Sequence, residues 1–381
     1  MARAFPFLAV VLGLVAGAAA SAGTLRIATY NTDLSADGPG VLLYDLGRDP
    51  DETLAAVIAV IQTTRPDVLL LTQFDHDAKG RALTAFRDLL RNGPRGIDYG
   101  HVFAPPVNAG VPSGHDFDGD TMLMGPDDAL GYGKFPGDGG MAVLSRLPID
   151  RDAARTFNNL HWRDLPDALL PVHPDGAPWP DVATQAAMRL SSRAHWDVPV
   201  ILPDGGRLHL LATNPTPPLF DGPEARNQRR NHDEIAFWSR YLDGTAFPDD
   251  QGRTATAPDA PLVVLGDLNA DPNDGAGLRD GIAGLLSHPR LRDARPGSAG
   301  GAEASQSQGG ANAEHSGDPA FDTADWRDDG PGNLRVDYVL PSAGLDVTAS
   351  GVFWPLPGEP LAAEVAAGSA HRLVWIDIAP P

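Results

Sequence analysis

The chain has 381 residues, 42% of them hydrophobic, which is enough to bury a large core. Its formal net charge of −21 disfavours tight, non-specific binding of duplex DNA, because such binding needs several contacts from Lys or Arg to phosphates. Cysteine is absent, which excludes disulfide bonds, a thiolate nucleophile and cysteine-ligated metal sites.

The N-terminus has the pattern of a cleavable signal peptide over residues 1–22. The chain starts with the positive charge of Arg3, an apolar stretch follows, and the small residues Ala20 and Ala22 fit a cleavage site. A membrane anchor is the alternative, but the apolar stretch is short for a bilayer span. We therefore expect an exported protein, periplasmic or extracellular in a bacterium, with residues 23–381 as one mature domain without a membrane span.

Strand and helix signals alternate along the mature chain. Period-2 patterns and short apolar runs predict strands, and apolar residues at helical spacing predict helices. In chain order the sequence predicts a strand over 24–31, a helix over 51–63, a strand over 67–73, a helix over 82–90, strands over 139–148 and 207–214, a helix over 229–242, and strands over 262–265, 334–340 and 373–378. The segments 247–261 and 296–319 are predicted to be mobile surface loops. This order predicts an α/β fold.

Polar side chains stand repeatedly at the points where predicted strands end, and ligand sites in α/β sheets form at such ends. The most informative strand end has the sequence GDLN, because period-2 alternation puts Asp267 and Asn269 on one face. A carboxylate and an amide there suit a hard cation or a polarised water. The alternative is a turn of Asp and Asn after a core strand. Other predicted strands end at Asn31, Gln73 and Asn214.

Seven motifs occur in an order that resembles one known family. They are Tyr30-Asn31, RPDVLLLTQ ending at Gln73, AVLSRLP, LLATN ending at Asn214, GDLNADP, LRVDYVLPS around Asp337, and SAHRLVW around His371. In this order, over residues 23–378, the chain resembles the endonuclease/exonuclease/phosphatase (DNase I-like) superfamily, which includes nucleases, sphingomyelinases and inositol-polyphosphate phosphatases. Each motif alone is weakly specific, and the order of all seven carries the resemblance.

The resemblance implies a four-layer sandwich of the α/β (α+β) class, with two mixed β-sheets packed face to face between outer helices. It implies hydrolysis of a phosphoester by an activated water, assisted by Mg²⁺, with Mn²⁺ or Ca²⁺ as alternatives. Carried over by position, Asn31 would help to hold the metal, Asp267 would orient or deprotonate the water, and Asn269 would hold the scissile phosphate. Asp337 would support His371, which would bind the phosphoryl group or stabilise its developing charge.

Three positions depart from the pattern of this family. Gln73 stands where the family has a Glu metal ligand, Asn214 where it has a His, and Ala370 where it has an Asp. Fewer carboxylates should weaken the binding of a hard cation. Asp75 could replace the missing carboxylate, with Asp77 behind it, since residues 73 and 75 of an extended segment point the same way. The alternative is that both are solvated loop acids.

A compact basic cluster lies in the sequence GPEARNQRRNHDE. Its Arg226, Arg229 and Arg230 could bring guanidinium groups over a phosphate. Arg229 and Arg230, together with Asn269, are the predicted substrate-binding residues. The alternative is the N-terminal region of a helix, in which these arginines pair with nearby carboxylates.

An acidic run at Asp116, Asp118 and Asp120 resembles the start of a calcium loop but lacks the later ligands of an EF-hand. It is interpreted either as a solvated acidic turn or as a separate Ca²⁺ site.

The sequence thus predicts a metal-dependent phosphoesterase that hydrolyses a phosphate mono- or diester. The expected catalytic residues are Asp267, Asn269, Asp337, His371 and Asn214, and the expected metal ligands are Asn31, Gln73 and Asp75. The alternative is a catalytically impaired member that binds a phosphorylated ligand without turnover, which Gln73, Asn214 and Ala370 favour. A secreted nuclease is a third interpretation, and the net charge of −21 disfavours it. We expect a monomer that acts on a small phosphoester, a lipid headgroup or a short oligonucleotide.

Overall fold

The computed structural model describes residues 23–379, and the predicted signal peptide lies outside the described residues. Strands β1 to β15 are Leu25–Leu34, Val68–Phe74, His101–Phe103, Ala142–Ser145, Arg155–Thr156, His195–Ile201, Arg207–Thr213, Phe247–Pro248, Thr254–Ala255, Leu262–Asp267, Ala324–Asp325, Asn333–Leu334, Asp337–Pro341, Val347–Val352 and Val374–Ile378. Helices α1 to α8 are Val41–Leu46, Glu52–Thr64, Arg81–Arg91, Val182–Ala187, Arg226–Leu242, Arg279–Leu286, Ala299–Gln308 and Ala362–Ala367. Within the described range, none of these helices is both long and apolar enough to cross a bilayer.

The longer strands form two mixed sheets. The first has the order β14-β15-β1-β2-β4-β3 and the second has the order β13-β10-β7-β6-β5. The pairs β1–β2 and β7–β10 are parallel, and the other pairs in both sheets are antiparallel. The parallel pairs bring two carboxyl ends of strands to the same edge in each sheet.

Alternation along the strands builds a core on both faces of each sheet. Leu70 of β2 and Leu265 of β10 belong to the core between the two sheets. Their neighbours Leu69 and Val264 face outward instead, Leu69 toward α2 and α3 and Val264 toward α5 and α6. The four-layer sandwich of the α/β (α+β) class, with two mixed sheets flanked by helices, is therefore confirmed.

Several secondary-structure predictions differ from the structure. The segment 296–319 was predicted to be a loop, but it contains α7, whose small side chains give no helical pattern of apolar residues. The segment 247–261 contains the short ribbon of β8 and β9. The strand β6 was missed, although it pairs with β7 over seven residues, because its sequence has no clear alternation.

Helix α7 lies so close to its neighbours that a glycine is required. A Cβ added at Gly300 would lie 2.1 Å from the backbone oxygen of Trp354. In α6, by contrast, a Cβ added at Gly284 would meet nothing within 4 Å. Substitution of Gly284 therefore tests helix propensity alone, whereas substitution of Gly300 also tests the close packing of α7.

We predict opposite effects for the two substitutions to alanine. Gly284→Ala should raise the free energy of unfolding by up to about 1 kcal/mol, because alanine loses less backbone entropy in a helix. Gly300→Ala should lower it by about 1–3 kcal/mol, because the methyl group would force the backbone of Trp354 to move. Urea denaturation measures both, and a stabilising Gly300→Ala would contradict the packing of α7.

Candidate active site

The candidate site lies where β7 and β10 end and β13 begins. Asp267 is the last residue of β10 and pairs with Asp337, the first residue of β13. Gly266 has a φ of 150°, and a Cβ there would lie 1.9 Å from the backbone oxygen of Thr213. Only glycine permits this approach of β10 to β7, which brings Asn214 beside Asp267.

Three amide groups converge on one carboxylate oxygen of Asp267. Its Oδ2 accepts hydrogen bonds from the side chains of Asn31 at 2.9 Å, Asn214 at 3.2 Å and Asn269 at 3.2 Å. Its Oδ1 accepts the backbone N–H of Asn269 at 2.9 Å. The bond from Asn31 crosses from the first sheet to the second, so the orientation of this carboxylate depends on both sheets.

Asp337 and His371 form a second pair across the sheets. The Nδ1 of His371 lies 2.8 Å from Oδ2 of Asp337, which also accepts the hydroxyl of Thr323 at 2.9 Å. Asp267, Asp337 and His371 each offer a ligand atom within 4.8 Å of the others, and all three side chains are buried. The structure thus brings together five predicted residues that stand far apart in the sequence, Asn31, Asn214, Asp267, Asp337 and His371.

Burial and neighbouring charges have opposite effects on the pKa values of His371 and Asp267. Burial alone would lower the pKa of His371, but the carboxylates of Asp337 and Asp267 outweigh burial and raise it to about 9. Burial raises the pKa of Asp267 to about 6, although His371 lowers it. Each group therefore favours the charged form of the other.

Gln73 reaches the site, while Asp75 bonds two backbone amides. The Nε2 of Gln73 lies 3.5 Å from Oδ1 of Asn214. Because Gln73 has a φ of 50°, the chain is not fully extended from 73 to 75, and the metal-ligand role of Asp75 stays a prediction. Asp75 accepts the backbone N–H groups of Gly139 at 2.9 Å and Ala36 at 3.0 Å. Its carboxylate joins two loops, and burial raises its pKa to about 6.

Arg229 and Arg230 were predicted to bind the substrate. In the structure their guanidinium groups donate hydrogen bonds to backbone carbonyl oxygens of the protein. Arg230 donates to the carbonyl oxygens of Leu130, Leu190 and two further residues, 189 and 191. Arg229 donates to the carbonyl oxygen of Leu170 at 3.3 Å. These arginines anchor the N-terminal part of α5, so the predicted substrate-binding role does not fit their contacts.

The acidic run at Asp116, Asp118 and Asp120 forms a turn closed by its own backbone. Its three carboxylates come within 4.8 Å of one another, and Asp116 accepts the N–H groups of Gly119 and Thr121. This agrees with the acidic-turn interpretation, and the Ca²⁺ interpretation stays untested.

Two charged residues near the site were missed from the sequence. Arg193 is buried, its Nε donates to the carbonyl oxygen of Gly139 at 3.1 Å, and burial lowers its pKa while the carboxylates of Asp138, Glu234 and Asp267 oppose this. It precedes β6, so its position follows only once the pairing of β6 with β7 is known. The exposed Asp33 contributes to the raised pKa of His371.

The sequence offered Glu234 only as a carboxylate that could pair with the arginines at the start of α5. The buried carboxylate of Glu234 accepts the backbone N–H of Ser192 at 2.6 Å and that of Thr216 at 2.8 Å. It thereby joins the segment that carries Arg193 to the segment that carries Asn214. One sequence signal could have identified Glu234. It stands four residues before Trp238, which places a charged side chain on the apolar face of the predicted helix.

Comparison with known families agrees with this geometry. The model described as the Endonuclease/Exonuclease/phosphatase family matches residues 28–371. The chain belongs to this family. Its members are generally hydrolases that act on phosphoester bonds. The matched range runs from β1 to His371 and includes Asn31, Asn214, Asp267, Asp337 and His371.

Three solved structures are similar to the chain at low identity, and the first of them shows the fold. An endonuclease/exonuclease/phosphatase from Beutenbergia cavernae is 20% identical with a TM-score of 0.52, covering 94% of this chain and 72% of that chain. Sphingomyelinase C from Streptomyces griseocarneus is 17% identical with a TM-score of 0.47, covering 93% of this chain and 99% of that chain. The human Nocturnin catalytic domain is 15% identical with a TM-score of 0.46, covering 93% of this chain and 94% of that chain. No curated protein matches the chain.

We predict that Asp337 sets the protonation of His371. In protein freed of metal by a chelator, the pKa of His371 should be near 9, because Asp337 is the strongest of the charges that raise it. In Asp337→Asn it should fall to or below about 6.5, the ordinary value for histidine. A proton NMR titration measures this, with His371→Gln to assign the resonance and Asp33→Asn as a control of smaller expected effect. An unchanged pKa in Asp337→Asn would contradict the pairing.

Proposed function

We propose that the chain is a phosphoesterase that hydrolyses a phosphate mono- or diester with the help of a divalent cation. The observation that carries the proposal is the buried cluster of Asp267, Asp337 and His371, whose ligand atoms lie within 4.8 Å of one another. Family membership supports the reaction class, since members generally hydrolyse phosphoesters. Phosphoryl transfer needs positioned groups and neutralised charge more than it needs a protein nucleophile.

The donor set at the site fits a cation held by few protein ligands. Oδ1 of Asp337 is buried without a hydrogen-bond partner, and Asp267 supplies a second carboxylate nearby. Asn31 and Gln73 could add amide oxygens. Mg²⁺ is the first choice, with Mn²⁺ or Ca²⁺ as alternatives, because Mg²⁺ commonly uses one or two carboxylates and completes its shell with water and substrate phosphate. When bound, the cation would supply Lewis-acid polarisation of a phosphoryl oxygen.

Asp267 and His371 would perform the proton transfer and the charge stabilisation. Asp267, oriented by the amides of Asn31, Asn214 and Asn269, would accept a proton from the attacking water. The water oxygen would bond to phosphorus as the ester P–O bond breaks, the leaving alkoxide would take a proton from solvent, and the proton on Asp267 would return to solvent. The imidazolium of His371 would stabilise the charge that develops on the phosphoryl oxygens.

A second candidate function is binding of a phosphorylated ligand without turnover. The side chains of Gln73 and Asn214 favour this function because both are neutral. Asn214 donates hydrogen bonds to the side chain and to the backbone oxygen of Asp267. An amide in that place holds the carboxylate but cannot carry positive charge. The assay below separates the two functions.

We also propose export through the N-terminal segment 1–22 and action as a monomer. The substrate would be a small phosphoester, a lipid headgroup or a short oligonucleotide, since the net charge of −21 opposes the binding of long polyanions.

We predict that turnover requires a divalent ion and Asp267 but not Asp75. The mature protein from Gly23 is incubated with a generic phosphodiester and a phosphomonoester, with and without Mg²⁺, Mn²⁺ and Ca²⁺. Asp267→Asn should lower kcat by about 10²-fold or more, because the proton acceptor is lost. Asp75→Asn should keep the dependence on the metal, while its melting temperature falls because the carboxylate no longer joins two backbone amides.

Two results would contradict this assignment. Equal activity of Asp267→Asn and the wild type would remove Asp267 from the chemistry. Absence of turnover with any ion, together with binding of inorganic phosphate by calorimetry, would favour the binding function.

A further inference from the structure

Arg372, the residue after His371, is a buried cation beside the candidate active site. Only 3% of its side chain is exposed, and its guanidinium carbon lies 4.3 Å from the centre of the Trp354 ring. Removing a charge from water is costly, and a buried ion pair is often no more stabilising than apolar side chains of the same volume. Stability of the fold is therefore a weak reason for a guanidinium at this place.

The hydrogen bonds of Arg372 are concentrated on the turn 369–372, which carries His371. Its Nη1 donates to the backbone oxygens of Ser369 at 2.8 Å, Ala370 at 3.2 Å and His371 at 3.3 Å. The backbone N–H of His371 donates to Oγ of Ser369 at 3.0 Å. The peptide groups on both sides of the His371 Cα are thereby restrained, and with them the direction in which the imidazole leaves the backbone.

Asp325 holds the other side of the Arg372 guanidinium. Its Oδ2 accepts Nη2 of Arg372 at 2.8 Å, and its Oδ1 accepts Nε2 of Gln308, on α7, at 2.9 Å. Both carboxylate oxygens have a partner, which restrains rotation of the carboxylate. Asp325 is part of β11, which pairs with β12. The ion pair therefore ties the turn of His371 to this ribbon.

The residues around β11 also contact both members of the His371–Asp337 pair. The backbone of Ala324 forms an antiparallel bridge with that of His371. Thr323 donates its hydroxyl to Oδ2 of Asp337 at 2.9 Å, and this is the oxygen that His371 bonds at 2.8 Å. The ring of Trp326 lies 5.2 Å from the imidazole at an angle of 89°. The ribbon is thus the support on which this pair rests.

Position 370 contributes no side-chain support to the turn. The chain has an alanine there, where the family pattern has an aspartate, and a methyl group accepts no hydrogen bond. The backbone oxygen of Ala370 accepts Nη1 of Arg372 and the backbone N–H of Asp325, the latter at 2.9 Å. The restraint on this part of the turn therefore comes from Arg372 and Asp325.

We propose that the ion pair of Arg372 and Asp325 positions His371. It holds the turn 369–372 so that Nδ1 of the imidazole stays on Asp337 and Nε2 is left for the phosphoryl group. Neither member of the ion pair touches the reacting groups, so both act through His371. The effect on turnover rests on the proposed phosphoesterase function, whereas the effect on the position of His371 does not.

Crystal structures of the mature protein and its variants measure the position of His371. In the wild type its Nδ1 should lie about 2.8 Å from Oδ2 of Asp337. In Arg372→Met and in Asp325→Asn the imidazole should leave Asp337, with this distance above about 3.5 Å in at least one conformer. Asp325→Asn keeps the size of the side chain, so it removes the charge pairing without opening a cavity.

Arg253 offers a matched control. Its Nε donates to Asp249 at 2.7 Å, and its two Nη groups donate to the backbone oxygens of Asp152 at 2.8 Å and Ala154 at 2.6 Å. Ala154 precedes β5, which lies at the opposite edge of the second sheet from β13. Arg253→Met therefore also removes an ion pair and bonds to backbone oxygens, but far from His371.

The effect on turnover is measured with the generic phosphodiester and Mg²⁺. Arg372→Met and Asp325→Asn should each lower kcat by about 10- to 100-fold and change KM by less than about threefold, because a misplaced imidazole no longer stabilises the transition state. In a His371→Gln background the same substitutions should lower kcat by less than about twofold, because they act through His371. Arg253→Met should keep kcat even where its melting temperature falls.

Two results would overturn the positioning role. One is an imidazole that stays within about 3.2 Å of Asp337 in both variants. The other is an equal fold-loss of kcat with and without His371, which would leave Arg372 and Asp325 a role in fold stability alone. Absence of hydrolysis of any phosphoester by the wild type would refute the phosphoesterase function, and the crystal structures would still decide whether the ion pair positions His371.

Discussion

Two contacts between the sheets hold the candidate site together. Asn31 of β1 donates to Asp267 at the end of β10, and His371, which precedes β15, bonds Asp337 at the start of β13. A buried carboxylate is costly unless it is paired or hydrogen-bonded, so these contacts offset part of the cost of burying Asp267 and Asp337, while Oδ1 of Asp337 is left without a hydrogen-bond partner. Any shift of one sheet against the other would break both pairs at once. The face-to-face packing of the sheets is therefore the constraint on which the chemistry depends.

The residues that depart from the family pattern change the charge of the site but keep its shape. Asn214 donates to Asp267 through a neutral amide, and Gln73 lies next to Asn214. Ala370 supplies no carboxylate to His371, whose partner is Asp337 on the other sheet. The carboxylates of Asp337 and Asp267 raise the pKa of His371, and those of Asp138, Glu234 and Asp267 oppose the effect of burial on Arg193. Pairing of these buried charges offsets part of the cost of removing them from water.

The sequence predicted the sheets and the residues at their ends, because apolar runs and period-2 alternation are local signals. It placed Asp267, Asn31 and Asn214 at strand ends, and the structure brings them into contact. It did not predict the two backbone bonds of Asp75, because the left-handed conformation of Gln73 leaves no trace in the pattern of residue types. It also missed Arg193 and the contacts of Glu234, since the position of Arg193 depends on the pairing of β6 and the contacts of Glu234 are made between distant segments.

A divalent cation is proposed to bind at the carboxylates of Asp337 and Asp267, between the ends of the two sheets. The most direct test is a crystal of the mature protein soaked with Mn²⁺, with the metal located by anomalous scattering. A peak is expected within about 2.5 Å of a carboxylate oxygen of Asp267 or Asp337. A peak only at the acidic turn of Asp116, Asp118 and Asp120, or no peak at the strand ends at a saturating concentration of Mn²⁺, would contradict the proposed cation site.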